Sequence, residues 1–366
     1  MLPCPLTRRL RRLLIGATLL FSGPAMADTA QTLADRLLTQ TRSPAVGVAL
    51  FAGGTTDIAV AGERARGSGV PVEIGDPWHL GSNGKALTAL LVARLTELGR
   101  IGRDDTLGET LGPVLPDLHP GYATVTYDQL LAHRAGIRAN PGLRELFRYS
   151  GARDTPTRDR REIIARLLAK PPASAPGETF RYSNAGYMTA GLMLETATGQ
   201  SWRDLMQAHV FAPMGLDSAG FGAPGSDGAF DAPRGHKSGV MALFRVRPVP
   251  PGPSADNIEA MGPAGRIHLS LADHMAVLRA HLTRDTEVLS AQGWNRLHIP
   301  GPGADYVGGW LIRDGVHLHN GSNTMWFNTA AMDLETGRAI ILAFNAATPK
   351  VQKLSQDSAM GWLGAQ

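Results

Sequence analysis

The chain has 366 residues, 43% of them hydrophobic and 19% charged, which suits a globular protein with a sizeable core and excludes a low-complexity or disordered chain. Lysine and arginine number 36 against 32 acidic residues, but Arg8, Arg9, Arg11 and Arg12 all fall in the first 27 positions, and 36 less these four leaves 32 against 32 beyond them. Balanced charge of that kind gives no electrostatic footing for nucleic acid.

The four arginines precede an apolar run, Leu13 to Phe21, and the small-residue stretch Ala25-Met-Ala27. This pattern predicts a secretory signal peptide over residues 1–27, cleaved near Ala27, and hence a periplasmic or secreted protein. The run is too short for a stable membrane anchor, and no later segment approaches the length a membrane span needs. Cys4, the only cysteine, lies inside the leader, so neither a disulfide nor cysteine chemistry is expected.

Leu33, Ala34, Leu37 and Leu38 recur at helical spacing within 28–41, and Ala45 to Phe51 then reads as a buried strand turned by Gly53-Gly54 into a partner over 56–61. Next comes His79-Leu-Gly-Ser82-Asn-Gly-Lys85, opening a helix whose apolar positions are Leu87, Leu90, Leu91, Ala93 and Leu95. Beyond Gly102, prolines punctuate short helical patterns, and helices are expected over 158–168, 184–198 and 202–211. A proline-rich loop spans 247–256 and a helix 270–281. Strands return at 306–312, 316–319, 324–333 and 339–344, followed by a helix over about 350–363. The fold class expected is α+β, with an antiparallel sheet built from both chain ends, flanked by helices, and a mostly helical insertion. One domain is expected over 28–366, its sheet region at about 28–101 and 265–366 and its helical region at about 102–264.

Three short motifs carry the chemistry. Ser82 and Lys85 stand three residues apart, which on a helix puts both side chains on one face within hydrogen-bonding reach. A serine hydroxyl attacks only once its proton is taken, and a lysine takes it only with a depressed pKa. The bland alternative is a helix cap followed by a solvated cation. Lysine is scarce, however, with Lys85, Lys170, Lys237, Lys350 and Lys353 the full set, and arginine cannot give up its proton in its place. Tyr182-Ser-Asn184 precedes the 184–198 helix. Asn184 reads either as its cap or as a group that orients Lys85 and binds a substrate carbonyl, and Tyr182 either as packing or as a proton shuttle whose pKa a neighbouring ammonium lowers. His319-Asn-Gly321-Ser322 closes a strand, where Gly321 permits close approach of an extended substrate.

In this order, Ser82-x-x-Lys85, Tyr182-x-Asn184 and His319-x-Gly321 resemble the serine β-lactamase and penicillin-binding protein family, in particular the class C β-lactamase-related branch with D-alanyl-D-alanine carboxypeptidases and related esterases. The stretches Leu131 to Gly136 and Pro263 to Asp273 are similar too. The resemblance implies an acyl-enzyme on Ser82, proton transfer by Lys85 and Tyr182, and substrate binding by Asn184, His319, Gly321 and Ser322. It places the oxyanion hole at the Ser82 and Ser322 amides and calls for no metal or other cofactor. The implied substrate is a small molecule or peptide with an amide or ester bond. Lys237-Ser238-Gly239 imitates a lysine form of the third motif but lies in the middle of the chain, away from the closing strands. Histidine at 319, where a β-lactamase of the family commonly has lysine, points away from efficient β-lactam hydrolysis and toward a carboxypeptidase or esterase. Two alternatives stay open, a binding or sensor module for cell-wall peptides or penicillins that acylates but barely turns over, and a scaffold with vestigial motifs.

Overall fold

A computed structural model describes residues 28–151, 153–238 and 246–364. The expected signal peptide and Cys4 lie outside the described residues, as does Gly239 of the Lys237-Ser238-Gly239 motif. The centre of the fold is a seven-stranded antiparallel sheet with strands from both chain ends. Across it run Thr55–Gly62, Ala45–Ala52, Arg338–Phe344, Phe327–Asp333, Val316–Ser322, Trp310–Arg313 and Tyr306–Val307. Val46 pairs with Phe344 and Val48 with Leu342, so the first long strand lies beside the last.

Helices cover both faces. Ala30–Thr41 and Pro349–Gly364 pack on one, around Val46, Val48, Leu342 and Phe344. Leu271–Thr283 packs on the other, where Leu271, Met275 and Leu278 meet Ala49, Ile341 and Trp78. Double coverage explains why 339–344 reads as a continuous apolar run, whereas the edge strand Thr55–Gly62 alternates in burial. The 102–264 region supplies most of a separate helical core, in which Asn184–Thr198 is buried along nearly its whole length and ends at Gly199 with φ 71°.

Several boundaries differ from expectation for local reasons. The strand expected over 306–312 is two strands, because Gly308 and Gly309 take φ values of 56° and 91° and break the ladder. The strand expected from Thr324 starts at Phe327, since Thr324 occupies a turn at φ 76°. The 202–211 helix changes at Gln207 from α to π geometry. A small sheet of Pro77–His79, Ile267–Ser270 and Gly220–Phe221 has no counterpart in the expected elements; its strands are too short for a periodic signal. Lys237 lies exposed on a two-residue strand paired with Arg247–Pro248, apart from the main sheet. Among the described residues no helix is long and apolar enough to cross a membrane.

Candidate active site

Ser82 sits in a single 3-10 turn, Gly81–Asn83, between the Pro77–His79 strand and the Gly84–Glu97 helix. It is therefore not the helix cap that its composition suggests. Asn83 holds that position, without a side-chain capping bond, and the Ser82 hydroxyl is left to face the cleft. Likewise Ser183, not Asn184, caps the Asn184–Thr198 helix by accepting from Gly186 N at 2.9 Å. Asn184 is thereby released as the first helical residue, its side chain turned toward Lys85.

Lys85 is completely buried, and its Nζ lies 3.2 Å from Ser82 Oγ, 2.7 Å from Asn184 Oδ1 and 2.5 Å from the Ala264 carbonyl oxygen. Burial holds its pKa well below the ordinary lysine range. Both Asn184 Oδ1 and Ala264 O can only accept, so a neutral amine spends its two N–H bonds on them. The lone pair is then left directed at the Ser82 hydroxyl. The Tyr182 and Tyr187 rings flank the same nitrogen, their centroids 4.9 and 5.4 Å away.

Tyr182 departs from the expected behaviour. Burial, opposed in part by a hydrogen bond with Ser82, pushes its phenol up to about 12. The amine beside it is itself pushed toward the neutral form, so no ammonium lowers the phenol, and Tyr182 keeps its proton at neutral pH. The His133 ring packs at a tilt 4.3 Å from that of Tyr182 and accepts from Ser183 N at 3.1 Å, which buttresses the second motif.

His319 is also brought into the site. Its ring stands 6.2 Å from that of Tyr182, and its Nδ1 lies 3.1 Å from Asn83 Oδ1, whose amide nitrogen in turn donates to Asn328 Oδ1 at 2.7 Å. Nδ1 thus carries the proton. Burial, above all, pushes the His319 pKa down to about 3, so the ring is neutral at physiological pH. Gly321 serves a different closeness from the one expected. A Cβ there would lie 2.9 Å from both the Ser82 and Asn83 nitrogens and nearer still to Leu80 O, so the missing side chain admits the Ser82 turn itself. Gly81, at φ 54°, answers from the other side, against Gly321 C and Ser322 Cα. The Ser82 and Ser322 peptides are consequently neighbours. The Ser322 hydroxyl is occupied within its own turn, donating to Trp326 O at 2.7 Å.

A cavity of about 240 Å³ opens over Ser82, Asn184 and Ser322. Among the described residues its lining has no Asp, Glu, Lys or Arg; amides of Asn140, Asn257 and Asn323 alternate with Pro141, Leu146 and Met261. A larger cavity, about 640 Å³, lies beside Tyr306–Val307 and is lined by none of the motif residues; Tyr306 in its wall is a ring neighbour of His319. Among the described residues no group of three or more His, Cys, Asp or Glu side chains is placed to hold a metal ion. Sequence reasoning does not single out Asn140, which accepts from Asn184 Nδ2 at 2.7 Å, because a lone polar residue before a proline reads as a turn. It also does not single out the Ala264 carbonyl, since a backbone acceptor has no residue-type signature.

The Beta-lactamase family model matches residues 30–360. The chain belongs to the β-lactamase family. Penicillin-binding protein 4 of Amycolatopsis lactamdurans is 29% identical over 275 residues, 70% of this chain and 65% of that protein. The chain thus spans less than two thirds of that curated relative, and 61% of a Bacillus subtilis protein described as a putative penicillin-binding protein, which it matches at 22% identity. Two solved structures share the fold. An octameric penicillin-binding protein homologue of Pyrococcus abyssi superposes with a TM-score of 0.72 at 19% identity, covering 91% of this chain and 77% of that one. A D-amino acid amidase of Ochrobactrum anthropi SV3 does so with a TM-score of 0.71 at 19% identity, covering 91% and 96%. The β-lactamase fold is thereby shared across most of the chain, with its antiparallel sheet and flanking helices.

Proposed function

We propose that this β-lactamase family member is an exported serine hydrolase that cleaves an amide or ester through an acyl-enzyme on Ser82. The observation that carries the reading is the environment of Lys85, buried, held by two carbonyl oxygens and 3.2 Å from Ser82 Oγ. The neutral amine accepts the hydroxyl proton as Oγ attacks the substrate carbonyl carbon. The developing oxyanion accepts from the Ser82 and Ser322 amides. Tyr182, still protonated at neutral pH, donates to the leaving nitrogen or oxygen and recovers a proton from Lys85. Water then attacks the ester on Ser82 and frees the acid. Asn184 holds the amine, and neutral His319 offers its unprotonated Nε2 as an acceptor to the substrate.

The uncharged cleft supports a substrate that is neutral around the scissile bond, of the amide or ester kind, and the D-amino acid amidase among the fold neighbours points to amides as the first to try. Export is supported by the basic and apolar pattern of residues 1–27. The test is steady-state turnover of a nitrophenyl ester, a D-amino acid amide and a D-alanyl-D-alanine peptide by the wild type and Lys85→Met. Loss of about 10²-fold or more in kcat for every accepted substrate is expected on removing the base. Equal turnover by Lys85→Met overturns the assignment.

A further inference from the structure

His79 stands three residues before Ser82 and takes no part in the proton transfers above, yet its side chain and that of Asp256 are fully buried against each other. His79 Nδ1 accepts the Gly81 amide at 3.0 Å, which fixes the ring proton on Nε2, and Nε2 lies 3.0 Å from Asp256 Oδ2. Arg266 Nε donates to the same carboxylate oxygen at 3.2 Å. The other oxygen accepts from Asn257 N at 2.7 Å and from Asn323 Nδ2 at 3.1 Å. Asn323 Oδ1 in turn accepts from Met325 N and Trp326 N, which shapes the turn after Ser322, and the Trp326 ring stacks on His79 at 5.4 Å. Opposition by His79 and Arg266 outweighs the cost of burial, so the carboxyl stays below its usual range and ionised. One buried carboxylate therefore ties together the turn that carries Ser82, the turn that follows Ser322 and the 264–266 segment that holds Lys85.

We propose that Asp256 and His79 are positioning residues that set the spacing of the two oxyanion-binding amides, Ser82 N–H and Ser322 N–H, by fixing Gly81 on one side and Asn323 on the other. The inference rests on the acyl-enzyme reading. Neither residue touches the substrate; both act through backbone.

A thiono ester, in which sulfur replaces the carbonyl oxygen, reads the hole directly, because a sulfur anion is larger and a poorer acceptor than oxygen. The ratio of kcat for a nitrophenyl ester to kcat for its thiono analogue therefore measures how well the two amides are placed. Asp256→Asn puts an amide N–H against groups that already donate. It is expected to lower kcat for the oxygen ester by about 10²-fold, the cost of losing one oxyanion donor, with KM little changed and with the ratio falling in step. A residue that only supports the fold would lower both substrates alike, and an unchanged ratio overturns the proposal. Should Asp256→Asn not fold, His79→Gln and His79→Leu decide. Glutamine retains a donor for Asp256 and an acceptor for Gly81 N–H and keeps a higher ratio than leucine, whereas equal ratios overturn the proposal. Ser82→Ala separates the two failures: if it is as active as the wild type, the hydrolase reading falls and takes this inference with it. If activity requires Ser82 while the ratio does not respond, the inference alone falls.

Discussion

Replacing Gly321 by alanine tests the contact between strand and nucleophile turn apart from every chemical property of the site. Gly321 is not among the residues with positive φ, so a methyl group introduces no backbone strain there. Its Cβ would lie 2.9 Å from Ser82 N and Asn83 N and nearer to Leu80 O, all of them backbone atoms that cannot swing aside as a side chain would. Strand and turn must part until ordinary contact is restored, and the Ser82 and Ser322 amides part with them. A misplacement of about 1 Å costs on the order of 10²-fold in rate, or about 2.7 kcal/mol in the barrier. Overpacking of this kind costs about 1–3 kcal/mol of stability, which a denaturant melt reads separately. The assay is kcat/KM on a nitrophenyl ester alongside that melt. A folded Gly321→Ala enzyme with wild-type kcat/KM would refute the reasoning that these two peptides form one site.

Acid should destabilise the fold. His274, His298 and His319 are held near 3 and His236 near 4, in each case chiefly by burial, whereas an unfolded chain titrates its histidines near 6.5. With the folded values depressed, their contribution is complete above about 6.5 and is lost as pH falls toward 4 and 3, about 2 kcal/mol for each group by pH 5. Melting temperatures flat between pH 5 and 7.5 would contradict the buried neutral assignments. Because His319 stays neutral, turnover of carboxylate-bearing substrates should not rise as pH falls from 7.5 to 6, and a rise with an apparent pKa near 6.5 in kcat/KM would show a cation there. Arg160 and Glu195 form a buried ion pair, and Arg160→Ala, which strands the carboxylate, should cost about 3–5 kcal/mol by denaturant unfolding. Tyr182→Phe should keep the melt unchanged and slow acylation most for substrates with poor leaving groups, since a nitrophenolate needs no proton. Equal slowing for amides and nitrophenyl esters would remove Tyr182 as the donor.

Long elements with strong patterns were legible before the structure. The apolar runs at 45–51 and 339–344 read as strands because helices bury both their faces, and the Asn184–Thr198 helix announces itself through its apolar positions and Gly199. That Ser82, Lys85, Tyr182, Asn184 and His319 come together was also legible, because side chains of those types in that order have few other joint uses. Three things were not. Protonation states depend on burial, and spacing alone cannot say that Lys85 is sealed from water, so the sign of the Tyr182 shift came out reversed. Backbone groups such as Ala264 O carry no residue signature. Asp256 sits in a proline-rich loop more than 170 positions from His79, and only the fold brings its carboxylate to that ring.

The central claim is a covalent acyl group on Ser82, and intact-mass spectrometry of the chain after brief exposure to a nitrophenyl ester, a penicillin and a D-alanyl-D-alanine peptide tests it most directly. The account predicts an added acyl mass with at least one donor, present in the wild type, absent in Ser82→Ala and, for a turned-over substrate, decaying to the native mass with release of product. A penicillin adduct that persists for hours would make the protein an acylated sensor rather than a hydrolase. The same added mass in Ser82→Ala, or none with any donor in the wild type, would contradict the account.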